Sequence, residues 1–288
     1  MKRSMPKARA SISADGRSSS SSSAPPAALI EAVATCYPAL VGMFGIDQAW
    51  KSRQRSLPWL LKVIEDIYTS RYAHEAAELE RVELSKDPDM PLPEPMAMHQ
   101  FLRTFWAEKH GLKALVERSV WELMCNSEAA RRAGANTAVD LFCAFVAGGY
   151  TTDELQFFLF CRQALLHEVG KGGAAPLPSY SKAGSPPTVY HTPTHSTLTH
   201  RQCMSILKAV FGDDTGVLYQ ALCQLVAQHF AGGVRGGASM EAYSFLKLML
   251  SSYHDTCPTQ AGDEPGHRTP GEGAAAEEGG PGGGLFGA

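Results

Sequence analysis

The stretch FLRTFWAEKHGLKALVERSVWELMCNSEAARRAGANTAVDLFCAFVAGGYTTDELQFFLFCR, residues 101–162, decides how this chain folds. Met98, Phe101, Leu102, Phe105 and Trp106 recur at the three-to-four-residue spacing that lays one apolar stripe along a helix. Gly111 follows and supplies the left-handed residue on which helices commonly stop. Leu112, Leu115, Val116, Val120, Leu123 and Met124 make a second stripe. Ala138, Leu141, Phe142, Phe145 and Val146 make a third, closed by Gly148 and Gly149. Thr151-Thr152-Asp153-Glu154 has the spacing of a capping box, in which the Thr and Glu side chains each bond a free backbone N–H of the other. It opens a fourth stripe of Leu155, Phe158, Leu159, Arg162, Leu165 and Leu166. Aromatic side chains at this spacing bury large areas between helices, so the stripes predict a packed core and not a cofactor box.

On the N-terminal side, Ala27 to about Gly45 predicts a short helix with Leu29, Ile30, Val33, Leu40 and Val41 on its apolar face, broken or kinked at Pro38. Ser56 and Pro58 open a clearer amphipathic helix, with Leu60, Leu61, Ile64, Ile67 and Tyr68 on one face, continuing into the charged run Glu78–Lys86. Residues 87–95, DPDMPLPEP, hold four prolines and predict a stiff connector. On the C-terminal side, residues 170–197 read as a Gly/Pro/Ser linker. Thr199-His200-Arg201-Gln202 is a second capping box, opening a helix with Cys203, Ile206, Leu207, Val210 and Phe211 that stops at Gly212. A helix from about Thr215 to Phe230 carries Val217, Leu218, Leu222, Leu225 and Val226, and Ser239 is expected to cap a last one with Phe245, Leu246, Met249, Leu250 and Tyr253. The expected architecture is all-α: a helical bundle of two packed blocks, residues 27–169 and 198–256, between two tails, 1–26 and 257–288, too poor in apolar residues to order themselves.

A formal charge of −3 gives no global argument for nucleic acid. The seven cysteines, Cys36, Cys125, Cys143, Cys161, Cys203, Cys223 and Cys257, form no CxxC pair and mostly lie on apolar faces, which predicts small buried hydrophobes in a reducing compartment. No apolar run approaches the roughly 20 residues of a membrane span, and residues 1–26 lack the apolar core of a secretory leader. Lys2, Arg3, Lys7, Arg9 and Arg17 precede a serine run, Ser18–Ser23. This tail reads in three ways: an inert solvated segment, a basic tether for an acidic polymer or surface, or an Arg/Ser-rich transit peptide.

Candidate chemistry is sparse. His191, His195 and His200 lie within ten residues, and imidazole is a common metal ligand. Their spacing fits no helical HExxH pattern, Pro193 breaks regular structure, and no nearby Asp, Glu or Cys completes a ligand set. Gly170-Lys171 lacks the upstream glycine and following hydroxyl of a phosphate loop, and no GxSxG elbow occurs. Asp213-Asp214 reads as a helix start. The last two helices have a helix–loop–helix rhythm, but their loop, AGGVRGGASMEAY, carries glycines and Arg235 where a calcium loop needs oxygen ligands, with Glu241 its one acid. No cofactor, metal, nucleic acid or membrane is therefore expected, and no catalytic residue is assigned.

With these stripes and turns in view, the central block resembles a helical region of large ciliary and flagellar axoneme proteins, followed by a degenerate EF-hand-like helix pair. The residues that carry the resemblance are Lys109, Gly111, Leu112, Trp121, Leu141, Phe142, Phe145, Phe157, Phe158, Leu159 and Arg162, together with the segment SLPWLLKVIEDIYTSRY, residues 56–72. The resemblance implies a non-catalytic structural or adaptor component of a microtubule-based axoneme, in cytoplasm and cytoskeleton, with tubulin or axonemal proteins as partners and Lys2, Arg3, Lys7, Arg9 and Arg17 as a basic contact for acidic tubulin surfaces. An EF-hand-like module that binds a partner's amphipathic helix is the alternative. A metal-dependent enzyme using the cluster from His191 to His200 is the remote one.

Overall fold

The computed structural model describes residues 25–84, 96–134, 136–171, 196–212, 216–231 and 239–256. Pro25 and Pro26 lead into α1 (Ala27–Cys36), which meets α2 (Pro38–Phe44) at 101°. Pro38 is the first residue of α2, where its missing N–H costs nothing and its fixed φ suits a helix start, so it separates two helices instead of kinking one. A 3₁₀ turn (Ala49–Lys51) leads to α3 (Leu57–Leu84), whose Leu60, Leu61, Ile64, Ile67 and Tyr68 are buried as the spacing predicts. The helix does run into the charged segment, where Leu79 and Leu84 are 52% and 71% exposed. Arg71 holds the start of α4 (Met98–His110) by donating to the Met96 carbonyl at 2.5 Å.

α4 turns into α5 (Lys113–Arg132) at Gly111, whose φ of 67° and ψ of −24° are the left-handed stop read from the sequence. α5 is the hub of the N-terminal half: α1, α3, α4, the 3₁₀ turn and α6 (Thr137–Val146) all pack on it, and every residue from Val120 to Glu128 is buried. A helix enclosed on all sides has no single apolar stripe. The assigned stripe errs before this enclosed stretch, where Leu112 and Leu115 are 65% and 42% exposed. α6 is capped by Asn136, whose side chain accepts from the Ala138 N–H at 2.8 Å. Gly148 ends the turn after α6 with φ 76°. The capping box at α7 (Thr152–Lys171) is present, with Glu154 accepting from the Thr151 N–H at 2.6 Å and Thr151 from the Glu154 N–H at 3.3 Å.

The C-terminal half is two helix–strand–helix units. α7, β1 (Thr197–Leu198) and α8 (His200–Phe211) form one, and α9 (Val217–Ala231), β2 (Met240–Glu241) and α10 (Ala242–Thr256) the other. The two strands pair antiparallel, Thr197 with Glu241 and Leu198 with Met240, and the Ala242 N–H extends the ladder to the Ser196 carbonyl at 3.0 Å. Thr199 and Gln202 make the expected capping box. Ser239 does not cap α10: it precedes β2, and the helix begins three residues later at Ala242. α9 is described from Val217, Thr215 lying outside the described residues, and it buries only Leu222 and Val226 fully; Val217 and Leu225 are 77% and 37% exposed.

The protein is an all-α helical bundle among its described residues, apart from this two-residue ladder. One hydrophobic core runs from Ile30 to Leu250. α7 packs mainly on α8 and α10, α10 also packs on α6, and α7 touches α3. Residues 170–197 therefore connect elements that share a core, and α7 sits with the C-terminal helices although it lies before that linker. The connector 87–95, nearly all of the tail 1–26, the tail 257–288 and most of the linker fall outside the described residues. No described helix is by itself long and apolar enough to cross a membrane.

Candidate functional site

The residues that carry the axonemal resemblance divide into two groups. Trp121, Leu141, Phe142, Phe145, Phe158 and Leu159 are buried. Phe142, Phe145 and Phe158 surround the Tyr68 ring at centroid distances of 6.0, 6.4 and 5.0 Å, the tilted and edge-on contacts aromatic quadrupoles favour. Phe157 is half-buried and stacks on Tyr253 at 4.2 Å, joining α7 to α10. The other group is not core. Lys109, Gly111 and Leu112 are exposed at the α4–α5 corner, because Gly111 reverses the chain there and no described element packs over the turn. Lys109 lies over the Phe105 ring at 3.9 Å and near Trp106 at 5.6 Å, covering their outer faces with its stem. Beside it His110 stacks on Trp106, 5.3 Å between centroids and 2° from parallel, and bonds Ser119 at 2.9 Å.

Arg162 belongs to a buried polar cluster that the apolar stripe did not foretell. Its guanidinium pairs with Glu65 of α3 and bonds the Thr69 hydroxyl at 3.2 Å, and the Tyr243 hydroxyl of α10 donates to Glu65 at 2.6 Å. Burial, then the neighbouring Glu65 charge, push the Tyr243 hydroxyl well above the usual range for tyrosine, so it stays a donor.

Three further polar clusters follow the same logic. Glu128, 1% exposed, takes both donors of a bidentate Arg131 at 2.8 and 2.9 Å, Arg132 at 2.9 Å, and the Tyr37 hydroxyl at 3.4 Å. Burial raises its pKa, but the arginine bonds outweigh that and hold it below the usual carboxylate range. Glu154, besides capping α7, pairs with His254 at the end of α10. Burial raises the Glu154 pKa, yet the Thr151 N–H and His254 bring it down, and Glu154 in turn raises that of His254. Glu122 pairs with Arg55, while Asn126 grips the segment after the 3₁₀ turn from both sides: it accepts from the Arg55 N–H at 2.7 Å and donates to the Arg53 carbonyl at 2.8 Å. Glu154 ties α7 to α10 and Glu122 ties α5 to the segment after the 3₁₀ turn, whereas Glu128 is held mainly by arginines of its own helix and reaches out only to Tyr37.

In the sequence Arg162 stands out only in the fourth stripe and in the resemblance, and Glu154 only as a cap; none of the four clusters is foreseen as a polar cluster. The signals were weak: Glu128 with Arg131 and Arg132 one turn on has helical ion-pair spacing, but its burial depends on partners far away in the chain. Of the histidine cluster, His191 and His195 lie outside the described residues, and His200 opens α8 with its ring edge-on to Phe230 at 5.3 Å. Among the described residues no group of three His, Cys, Asp or Glu is placed to hold a metal ion. Lys2, Arg3, Lys7, Arg9 and Arg17 also lie outside the described residues.

No protein-family model, curated protein or solved structure matches this chain.

Proposed function

We propose that this protein is a non-catalytic adaptor acting through protein–protein contacts, and that its setting is a microtubule-based axoneme. The observation that carries the adaptor reading is the α4–α5 corner. Leu112 and Leu115 are 65% and 42% exposed beside the Trp106–His110 stack, and folding has no use for them there. Two exposed leucines next to an exposed histidine and lysine are the chemistry of a contact patch. The axonemal setting is supported by the resemblance of residues 101–162 and by the complement between the basic residues Lys2–Arg17 and acidic tubulin surfaces.

Leu112 offers a clean test because it is the residue before the first turn of α5 and makes no side-chain cap. Leu112→Asp places a good capping oxygen at that position, so stability holds or rises while the apolar contact is lost. Microtubule co-sedimentation and localisation of a tagged full chain are expected to show binding and axonemal residence that Leu112→Asp/Leu115→Asp removes. Substituting Lys2, Arg3, Lys7, Arg9 and Arg17 by Gln should weaken sedimentation and make it insensitive to salt. A tagged chain that never reaches a cilium sinks the axonemal reading.

The alternative, an EF-hand-like module, draws on the antiparallel ladder that joins the α7–α8 and α9–α10 units. In that reading the faces of α7 and α10 hold an amphipathic helix from a partner. Those faces are already occupied in this chain: α3 and α6 lie against them and Glu65 of α3 fills the polar position between Arg162 and Tyr243. The C-terminal pair thus acts as a clamp for the protein's own helices.

A further inference from the structure

Residues 50–55, Trp-Lys-Ser-Arg-Gln-Arg, unite two properties that seldom coincide in a connector: the backbone is held fast and the large side chains face solvent. Ala49 and Ser52 are buried at 0% and 4%, and Asn126 clamps the chain at both Arg53 and Arg55. Trp50 is nonetheless 49% exposed, and Lys51, Arg53, Gln54 and Arg55 are exposed with it. Arg55 spends its Nε on Glu122 and lies over the Trp59 ring at 5.1 Å, which fixes the guanidinium plane, while its terminal amino groups form no hydrogen bond among the described residues. Arg118 lies one turn before Glu122 and two before Asn126, on the same face of α5. Among the described residues no carboxylate pairs with Lys51, Arg53 or Arg118. The acids in or beside these segments are Glu122, already taken, Glu117, paired with Lys113, and Asp47 on the preceding turn, so the four cations outnumber them.

We propose that the Trp50–Arg55 segment, with Arg118, is a pre-ordered docking site for an acidic polypeptide segment that carries one apolar side chain. Arginine forks match carboxylates in two-point geometry. Arg55 meets Glu122 through its Nε alone, which leaves its terminal amino groups for an incoming carboxylate. One exposed indole amid cations supplies a single apolar anchor, the pattern of an interface hot spot. The backbone order imposed by Asn126 removes the ordering cost that a flexible loop would bring to binding. A single-stranded nucleic acid would favour successive stacking surfaces, and the second tryptophan here, Trp59, is half-buried under Arg55. The proposal deepens the adaptor reading, but Glu122, on which Arg55 is anchored, lies about 15 Å along α5 from Leu112 and Arg118 about 9 Å, ten and six residues at the helical rise, so the two can be separated.

The test uses the full chain and a fluorescein-labelled peptide of ten glutamates interrupted by one tyrosine, read by anisotropy, with the glutamine version as control. Binding of the glutamate peptide alone is expected. Lys51→Glu/Arg53→Glu should weaken it at least about tenfold, Lys51→Gln/Arg53→Gln by less, and Trp50→Ala severalfold, with thermal midpoints unchanged because these side chains are exposed. Leu112→Asp, and Gln at Lys2, Arg3, Lys7, Arg9 and Arg17, should leave peptide affinity within about twofold. Equal binding by the double-charge variant, loss of binding in the Lys2–Arg17 variant, or no binding at all overturns the site. So does tighter, Lys51/Arg53-dependent binding to phosphatidylserine vesicles or to a single-stranded oligonucleotide. Failure of microtubule co-sedimentation with peptide binding intact rejects the axonemal setting and leaves this site standing.

Discussion

Arg162 of α7 and Glu65 of α3 form an ion pair inside the protein, both nearly inaccessible, and the Tyr243 hydroxyl of α10 completes the carboxylate's hydrogen bonding at 2.6 Å. Three helices from both halves of the chain thus share one polar contact. Removing one member leaves a charge buried without its partner. Arg162→Met is expected to cost about 3–5 kcal/mol in urea unfolding, and Glu65→Leu/Arg162→Met much less than the sum of the single changes. Additive losses in the double-mutant cycle would mean that the two groups do not interact in solution.

Packing predicts a sharp contrast within the residues of the axonemal resemblance. Trp121 and Phe158 are buried on all sides, so Trp121→Ala and Phe158→Ala should each cost about 3–5 kcal/mol. Lys109→Ala removes only a surface cation over Phe105 and should cost about 1 kcal/mol or less. Thermal or denaturant melts of the three variants check the order; a Lys109 effect as large as that of Trp121 would place the corner in the core after all.

Two glycines should respond to alanine in opposite directions. Gly111 has φ 67°, so a Cβ is strained there even though it meets nothing within 4 Å, and Gly111→Ala should cost about 1–2 kcal/mol. Gly42 lies inside α2 with ordinary φ and open space around a Cβ, so Gly42→Ala should stabilise by about 0.5–1 kcal/mol. Denaturation midpoints for both, measured side by side, decide the matter.

The pH dependence of stability has a limb on each side. Glu128 and Glu154 sit below the usual carboxylate range in the folded protein, so their contribution is present above the unfolded value of about 4.3 and is lost as pH falls through the folded ones. Tyr68 and Tyr243 are raised by burial, and burial pushes the Cys143 and Cys203 thiols up to about 12. Their contribution is full below the unfolded values, about 8.5 for cysteine and 10 for tyrosine, and is lost as pH rises above them. Urea midpoints should therefore fall below about pH 4 and fall again above about pH 9, with the largely exposed His254, raised by Glu154, adding a small loss as pH rises through its folded value. Glu128→Gln should flatten the acid limb.

Thiol chemistry reports the same burial. Cys125, Cys143, Cys161 and Cys203 are buried with thiol pKa values raised by desolvation, whereas Cys36 and Cys223 are half-buried. Iodoacetamide at pH 8, read by mass spectrometry, should leave the first four unlabelled in the native protein and label them on unfolding. Fast native labelling of Cys161 would contradict the packing of α7.

Much of the helical layout was legible in the chain. The stripes of α3, α4, α6 and α7, the capping boxes at Thr151 and Thr199 and the stop at Gly111 all depend on residues within one or two turns of each other, and local physics settles them. The errors share a cause as well. Leu112, Leu115, Val217 and Leu225 fall at helical spacing, but spacing fixes only which side chains share a face, not whether another helix meets that face. Ser239 is a good capping residue that the tertiary structure passes over, because residues 240–241 are drawn into a ladder with 197–198.

By itself, then, the sequence determined an all-α chain, most of its helices, and where several of them start and stop, through forces that reach a few residues. Only the tertiary structure decided that α7 joins the C-terminal helices, that α5 is enclosed from Val120 to Glu128, and that Glu65 finds Arg162 and, 178 residues away, Tyr243. It also decided that Lys109, Gly111 and Leu112 face solvent, and that Asn126 fixes the backbone at Arg53 and Arg55 beside the exposed Trp50. The reason is physical. Burial and the pairing of buried charges depend on which surfaces meet across the whole fold, and no local pattern encodes that meeting.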